Sequence, residues 1–386
     1  MESAELCRIF KELVQLPSPS KHERQVANYI AKFAKDCGFD VHEDSAADAV
    51  GGTTGNLIIT AKESGKIGKK NNIIFSAHMD TVEFEKIPIM PQFDGMIVRS
   101  DGDNIVGADD KTGISALLMI MKWLSTESTV KHGKIRFIFT VCEEIALRGA
   151  LALDSEWLEG YDLGVVLDSS LPNQIVLAAP TRLKLSITVK GIGGHAAYPE
   201  CKINAAAVLA KAISRIPTGR LDAHSTANVG IIKSGNIVNV IPESAYAEYE
   251  IRSHRKELLE FHLKQALFAI EGAVRESRIM IADADDADDG LYRSFVDVEV
   301  ETCCESYQHD KQSKGVKRVE KAIQKTGLDC VYGIEQGGSD ANVFIKHGLE
   351  TILIGCGIHS AHSVEEYADL SETLTCVEIL KSLITE

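Results

Sequence analysis

Nowhere in the sequence do about 18 or more apolar residues run together, which excludes a membrane-spanning helix. There is no Cys-x-x-Cys spacing, and nine cysteines scattered from Cys7 to Cys376 are too sparse for a disulfide framework; they read as free thiols of a reducing cytoplasm. Positive charge is in short supply. The 41 Lys and Arg against 56 Asp and Glu leave a net charge of −15, which disfavours nucleic acid or an anionic membrane as partner and favours solubility. Internal repeats, a low-complexity tail and a Gly-rich phosphate loop are all missing. The first 16 residues mix acids and bases among Leu6, Ile9, Phe10, Leu13 and Val14, which is helical spacing and not the apolar core of a signal peptide.

What is present is length and alternation. A chain of 386 residues exceeds the size at which one core keeps growing, so two domains are expected. After the first helix comes the break Leu16-Pro17-Ser18-Pro19-Ser20, and then a second amphipathic helix through Val26, Tyr29, Ile30 and Phe33. Apolar runs at 56–61 and 72–77, joined by the Lys- and Gly-rich stretch Lys62–Asn71, suggest a hairpin. Further buried-strand patterns at Ile135–Val141, Leu163–Leu167 and Thr351–Ile354, with a helical stretch at Thr112–Leu124, predict an α/β layer on a largely parallel sheet. From about Thr181 to Glu301 the order becomes β-α-β-β-α-β, the split ferredoxin-like unit. The expected organisation is therefore a first segment over 1–180, an inserted α+β domain over 181–301 and a second segment of the first domain over 302–386. Within the insert, Asp283–Gly290 resembles a calcium loop, but Ala287 and Val296 stand where ligands belong, so a solvated turn is the better reading.

Metal-type side chains follow the apolar runs: His78 and Asp80, Asp109-Asp110, Glu143-Glu144, Asp168, and His359 and His362. Singly, each has a bland explanation, such as a helix cap for Asp109-Asp110 or a solvated pair for Glu143-Glu144. Together they fall where sites in open α/β sheets sit, just outside the carboxyl ends of the strands. Imidazoles and carboxylates gathered from distant points of a chain suit two divalent metals that share a carboxylate and activate water. Asp80, two residues beyond His78 on a strand end, would back that imidazole and fix its tautomer. The adjacent acids after 135–141 suit one ligand and one general base.

The segments Ser76-Ala77-His78-Met79-Asp80-Thr81, Gly107-Ala108-Asp109-Asp110-Lys111-Thr112-Gly113, Cys142-Glu143-Glu144, Leu167-Asp168 and His362-Ser363 resemble, in order and spacing, the co-catalytic zinc peptidases related to aminoacylase, glutamate carboxypeptidase and peptidase T. The resemblance spans nearly the whole chain. It implies that His78, Asp109 and Asp168 serve one or other metal with Asp109 bridging, that Glu144 and His362 complete the second site, that Asp80 orients His78, and that Glu143 is the general base. His362 is preferred to His359 because the family pattern has an acid four residues on, which Glu366 supplies. The insert carries Gly191-Ile192-Gly193-Gly194-His195-Ala196-Ala197-Tyr198-Pro199 and Asn236–Pro242, similar to lid motifs whose His reaches the partner subunit's active site and helps hold the oxyanion. His195 is thereby implied as catalytic, and the insert as a lid and dimerisation domain. Asn239, Arg252 and Gly338 are the substrate-binding expectations, Arg252 as a fork for a carboxylate and Gly338 as a point of close backbone approach.

The expected protein is thus a cytoplasmic, dinuclear metallopeptidase hydrolysing short peptides, most similar to peptidase T, holding two divalent ions that are zinc, cobalt or manganese. A homodimer through the insert follows from the resemblance. An amidase or deacylase of N-acyl amino acids is the alternative within enzymes, and a non-catalytic metal-binding homologue the alternative outside them.

Overall fold

The computed structural model describes residues 2–61, 63–64, 71–82, 89–200, 202–282 and 296–386. The acidic stretch Asp283–Gly290 and most of the Lys62–Asn71 connection lie outside them. The chain divides into two compact units, Met1–Ala179 with Tyr307–Glu386, and Pro180–Ser306. The first segment carries helices α1 (Glu2–Val14), α2 (Arg24–Asp36) and α3 (Ala108–Thr126), and strands β1 (Asp40–Glu43), β2 (Leu57–Ala61), β3 (Ile73–His78), β4 (Ile135–Thr140), β5 (Leu163–Leu167) and β6 (Gln174–Val176). The middle segment carries β7 (Thr181–Lys190), α4 (Ala205–Ile213), β8 (Ser225–Ser234), β9 (Ser244–Ser253), α5 (Lys256–Ala282) and β10 (Val296–Cys304). The last carries α6 (Lys314–Lys325), β11 (Val331–Gly333), α7 (Asp340–Lys346), β12 (Thr351–Ile354) and α8 (Leu370–Ile384).

In the first unit an eight-stranded sheet runs in the order β1-β2-β4-β3-β5-β12-β6-β11. Its centre, β4-β3-β5-β12, is parallel throughout, and β2 and β6 flank it antiparallel. Strand β3 is buried along its whole length, Ile73 to His78, as a parallel strand covered on both faces must be. That burial corrects the hairpin expected between 56–61 and 72–77: β4 lies between β2 and β3, pairing with both. A tight hairpin connection has about 2–5 residues. The longer link between β2 and β3 leaves room for a third strand, and apolar β3 gains more from a central position than from the sheet margin.

Helix α3 packs on β3 with α1 and α8 against it. Ile114 through Met121 are all buried, so α3 is apolar around its circumference where α1 shows a single stripe, Leu6, Ile9, Phe10, Leu13 and Val14. Because β4, β3, β5 and β12 are parallel, their carboxyl ends share one edge of the sheet. His78 closes β3 there, and Asp168 directly follows β5.

The second unit has an antiparallel sheet in the order β8-β9-β7-β10, with a short strand, Gly219–Arg220, beyond β8. Alternation along β7 buries Leu183, Leu185, Ile187 and Val189 on the face covered by α4 and α5. Among the described residues no helix is long and apolar enough to cross a membrane.

Phe137, at the centre of β4, is fully buried and stacks on Phe75 at 6.0 Å and meets Phe39 edge-on at 6.4 Å. Its truncation in Phe137→Ala is expected to destabilise the protein by about 3–5 kcal/mol, measured as a lowered urea midpoint of the first unit's transition.

Candidate metal centre

The imidazole of His78 emerges from the end of β3 with both nitrogens engaged. Nδ1 lies 3.0 Å from the backbone oxygen of Asp80 and 3.5 Å from its Oδ1. Both are acceptors, so Nδ1 carries a proton, and Nε2 faces Asp109 Oδ1 at 3.0 Å and Asp168 Oδ1 at 3.8 Å. Backing of this imidazole therefore comes from the Asp80 carbonyl first and its carboxylate second. That carboxylate is fully buried and accepts three hydrogen bonds: from Glu143 N–H at 2.9 Å, Glu144 N–H at 3.2 Å and Ser20 Oγ–H at 2.7 Å.

Asp109 stands between two imidazoles. One oxygen faces His78 and the other lies 3.3 Å from His362 Nε2, while His362 Nε2 also lies 2.9 Å from Glu144 Oε2. One ligand atom from each of His78, Asp109 and Glu144 falls within 4.8 Å of the others. The structure thus brings His78, Asp109, Glu144, Asp168 and His362, from points spread over most of the chain, into one region with Asp109 between the two imidazoles. His359 is occupied elsewhere, with Nε2 2.6 Å from Glu372 and its ring stacked on Tyr367 at 4.6 Å.

Local sequence accounts for how Asp109 is presented. Gly107 takes a left-handed φ of 73°, and Asp109 and Asp110 have non-helical dihedrals at the head of α3, with a cis peptide between them. Glu366 accepts from Gly107 N–H at 2.6 Å and Asp109 N–H at 3.2 Å, which ties the loop bearing His362 to the one bearing Asp109. Asp110 turns the other way, its oxygens accepting from His78 N–H at 3.2 Å and Gly113 N–H at 3.0 Å.

The electrostatics follow from crowding acids in a buried space. Burial, with neighbouring carboxylates next, pushes Glu143, Asp168 and Asp110 well above the carboxylate range despite the attraction of His78. Glu144 is raised in the same way, and burial lifts Glu366 to about 7. Asp109 escapes: burial would raise it, but His362 and His78 hold it below the usual range. Hydrogen bonds to Asp109 and Glu144 take His362 up to about 10. A buried set of imidazole nitrogens and carboxylate oxygens with too little positive charge of its own is the donor chemistry that a divalent cation completes.

Of the remaining sequence candidates, His195, Asn239 and Arg252 lie in the second unit and Gly338 in the first. His195 lies in the second unit on a two-residue strand paired with Val240–Ile241, exposed, its Nδ1 accepting from Ala197 N–H at 3.1 Å. The carbonyl of neighbouring Asn239 accepts from Ala196 N–H at 3.0 Å. Arg252 on β9 spreads its guanidinium over Glu250, at 3.0 and 3.3 Å. Gly338, half-buried, precedes α7, whose Asp340 accepts from Thr140 Oγ–H at 2.5 Å at the end of β4. Sequence reading missed Ser20, Glu23 and Lys111, whose contacts are described below. Lys111 carried a visible signal, a cation directly after two acids and just ahead of the mostly apolar run Ile114–Met121.

A histidine and carboxylate centre of this kind, at the carboxyl edge of a parallel sheet, defines the class of metal-dependent hydrolases. The model of peptidase family M20/M25/M40 matches residues 74–386, and the chain belongs to that family; it is a peptidase-type hydrolase. An uncharacterised protein of Bacillus subtilis strain 168, YqjE, is 34% identical over 382 residues, 98% of this chain and 96% of that protein. Among solved structures, aminopeptidase PepT from Bacillus cereus ATCC 10987 superposes with a TM-score of 0.80 at 32% identity, over 99% of this chain and 98% of that one. A tripeptidase from Staphylococcus aureus subsp. aureus Mu50 gives a TM-score of 0.83 at 28% identity, over 99% and 98%.

Asp80→Asn keeps the side chain's shape but sets an NH2 group against a backbone N–H that the carboxylate now satisfies. Its expected effect is a loss of metal affinity of about 10–100-fold, read by competition with a chromogenic chelator.

Proposed function

We propose that this chain is a two-metal aminopeptidase that removes N-terminal residues from short peptides. The observation that carries the reading is Asp109, whose two oxygens face two different imidazoles, as a carboxylate shared by two cations would require. His78, Asp109 and Asp168 would hold one ion, and Asp109, Glu144 and His362 the other. Bound there, the ions would supply Lewis acidity toward the peptide carbonyl and lower the pKa of water. Zinc suits these donors, and cobalt or manganese would also fit.

The protein's own part is proton handling and orientation. Glu143 is buried and its N–H is pinned on Asp80, which holds a general base in place beyond the end of β4. It takes a proton from the attacking water and delivers it to the leaving amine nitrogen. On the resemblance alone, His195 serves the developing oxyanion in a partner subunit's site, the second unit acts as lid and dimer contact, and Asn239, Arg252 and Gly338 contact substrate. The choice of peptide over N-acyl amino acid is supported by the two solved relatives, an aminopeptidase and a tripeptidase. Free thiols at every described cysteine fit a reducing cytoplasm.

Glu143→Ala is expected to cut turnover by about 10²-fold or more while two ions per chain remain bound, measured on the metal-loaded protein by peptide hydrolysis and elemental analysis. Retained turnover would remove Glu143 from the mechanism. A di- and tripeptide panel with free and acetylated N-termini separates the readings: cleavage confined to free N-termini supports the aminopeptidase, and cleavage of the acetylated set supports a deacylase.

A further inference from the structure

Glu143 and Glu144 sit on a turn that leaves the carboxyl end of β4 through Cys142, a non-glycine residue in the left-handed region at φ 54°. Such a conformation persists where surrounding contacts over-determine it. Here three successive amides end on buried carboxylates: Cys142 N–H on Glu23 Oε1 at 3.0 Å, Glu143 N–H on Asp80 Oδ1 at 2.9 Å, and Glu144 N–H on Asp80 Oδ2 at 3.2 Å. Asp80 belongs to the recognised site. Glu23 does not. It lies 119 residues before Cys142, is fully buried, and also accepts from Lys21 N–H at 2.9 Å.

Glu23 comes at the end of a short strap whose other residues grip the same region. Ser20 donates to Asp80 Oδ2 at 2.7 Å, the carbonyl of Ser18 accepts from Thr81 N–H at 2.9 Å, and buried Lys111 donates to Ser18 Oγ and to the carbonyl of Met79. Residues 18–23 thus touch the end of β3, the head of α3 and the turn after β4. All of them lie upstream of residue 74, where the match to the peptidase family begins.

Physical cost makes the arrangement informative. Glu23 Oε2 has no hydrogen-bond partner, and Glu23 shares its surroundings with the like charge of Asp80. A buried acid under those conditions is destabilising unless the hydrogen bonds its oxygen accepts offset the cost. One Glu23 oxygen accepts from Lys21 N–H at 2.9 Å and from Cys142 N–H at 3.0 Å, the latter at the residue that sets the direction of the turn. We infer that Glu23 is a positioning residue: through Cys142 N–H it fixes the turn and hence where the Glu143 carboxylate points. This rests on Glu143 being the general base.

The test compares Glu23→Ala, Glu23→Gln and Glu143→Ala in the full-length, metal-loaded protein, reading kcat and KM on a tripeptide, bound metal by elemental analysis, and the thermal midpoint. Misplacement of a catalytic group by about 1 Å costs on the order of 10²-fold in rate, so Glu23→Ala is expected to lose kcat on that scale with KM and metal content unchanged. Glu23→Gln keeps an oxygen for Cys142 N–H and is expected to recover most of kcat. Wild-type kcat in Glu23→Ala overturns the inference, as does metal lost in step with activity or a Gln variant no better than Ala. Should Glu23→Ala fail to fold, Glu23→Asp, one methylene short of the amide, takes its place with the same outcomes. A fully active Glu143→Ala defeats the general-base reading itself and this inference with it; an inactive Glu143→Ala beside a fully active Glu23→Ala defeats the positioning role alone.

Discussion

Acid crowded out of water is the constraint on which the first unit turns. Asp109, Asp110, Glu143, Glu144 and Asp168 share one region with His78 and His362, and burial raises four of the five carboxyl groups. Like charges in that setting repel strongly, and a chain that keeps them there does so for a positively charged occupant. The parallel centre of the sheet brings the acids together. Hydrogen bonds from backbone amides then sort them, so that Asp80 and Asp110 point inward to hold N–H groups while Asp109 and Glu144 turn toward His362.

That sorting separates members of adjacent pairs which look equivalent in one dimension. Asp109 and Asp110 differ because the backbone between Gly107 and Gly113 departs from helical geometry, sending one side chain to the imidazoles and the other to the amides of His78 and Gly113. His359 and His362 differ because Glu372 and Tyr367 hold the first, whereas the second reaches Asp109 and Glu144. The same principle extends to the Glu143 and Glu144 turn, whose amides are held by Asp80 and Glu23.

Much of this was legible in the sequence, and the limits have physical causes. Apolar runs ending in His78, Asp168 and the 135–141 strand announced both the parallel sheet and the edge where polar groups would gather, because strand burial and side-chain type are local properties. The position of β2 was not legible. Strand pairing depends on what fits between two segments, and nothing within 56–61 or 72–77 reports that β4 intervenes. Ser20 and Glu23 were invisible for a similar reason. A serine in a Pro-rich break and a glutamate before a helix are commonplace, and their partners lie 60 and 119 residues away. Glu366 was noticed only as a spacing marker, although it ties two loops of the centre together.

If this acidic cluster takes up divalent metal, the fold around it is stabilised by its occupant. A ligand that binds the native state and not the unfolded chain raises the unfolding midpoint in step with its binding. The direct measurement is thermal unfolding of chelator-stripped protein titrated with zinc, alongside calorimetry of the same titration. The expected result is a rising midpoint that saturates at two ions per chain. An unchanged midpoint, with no ion bound beyond weak surface association, would contradict a metal centre at this cluster.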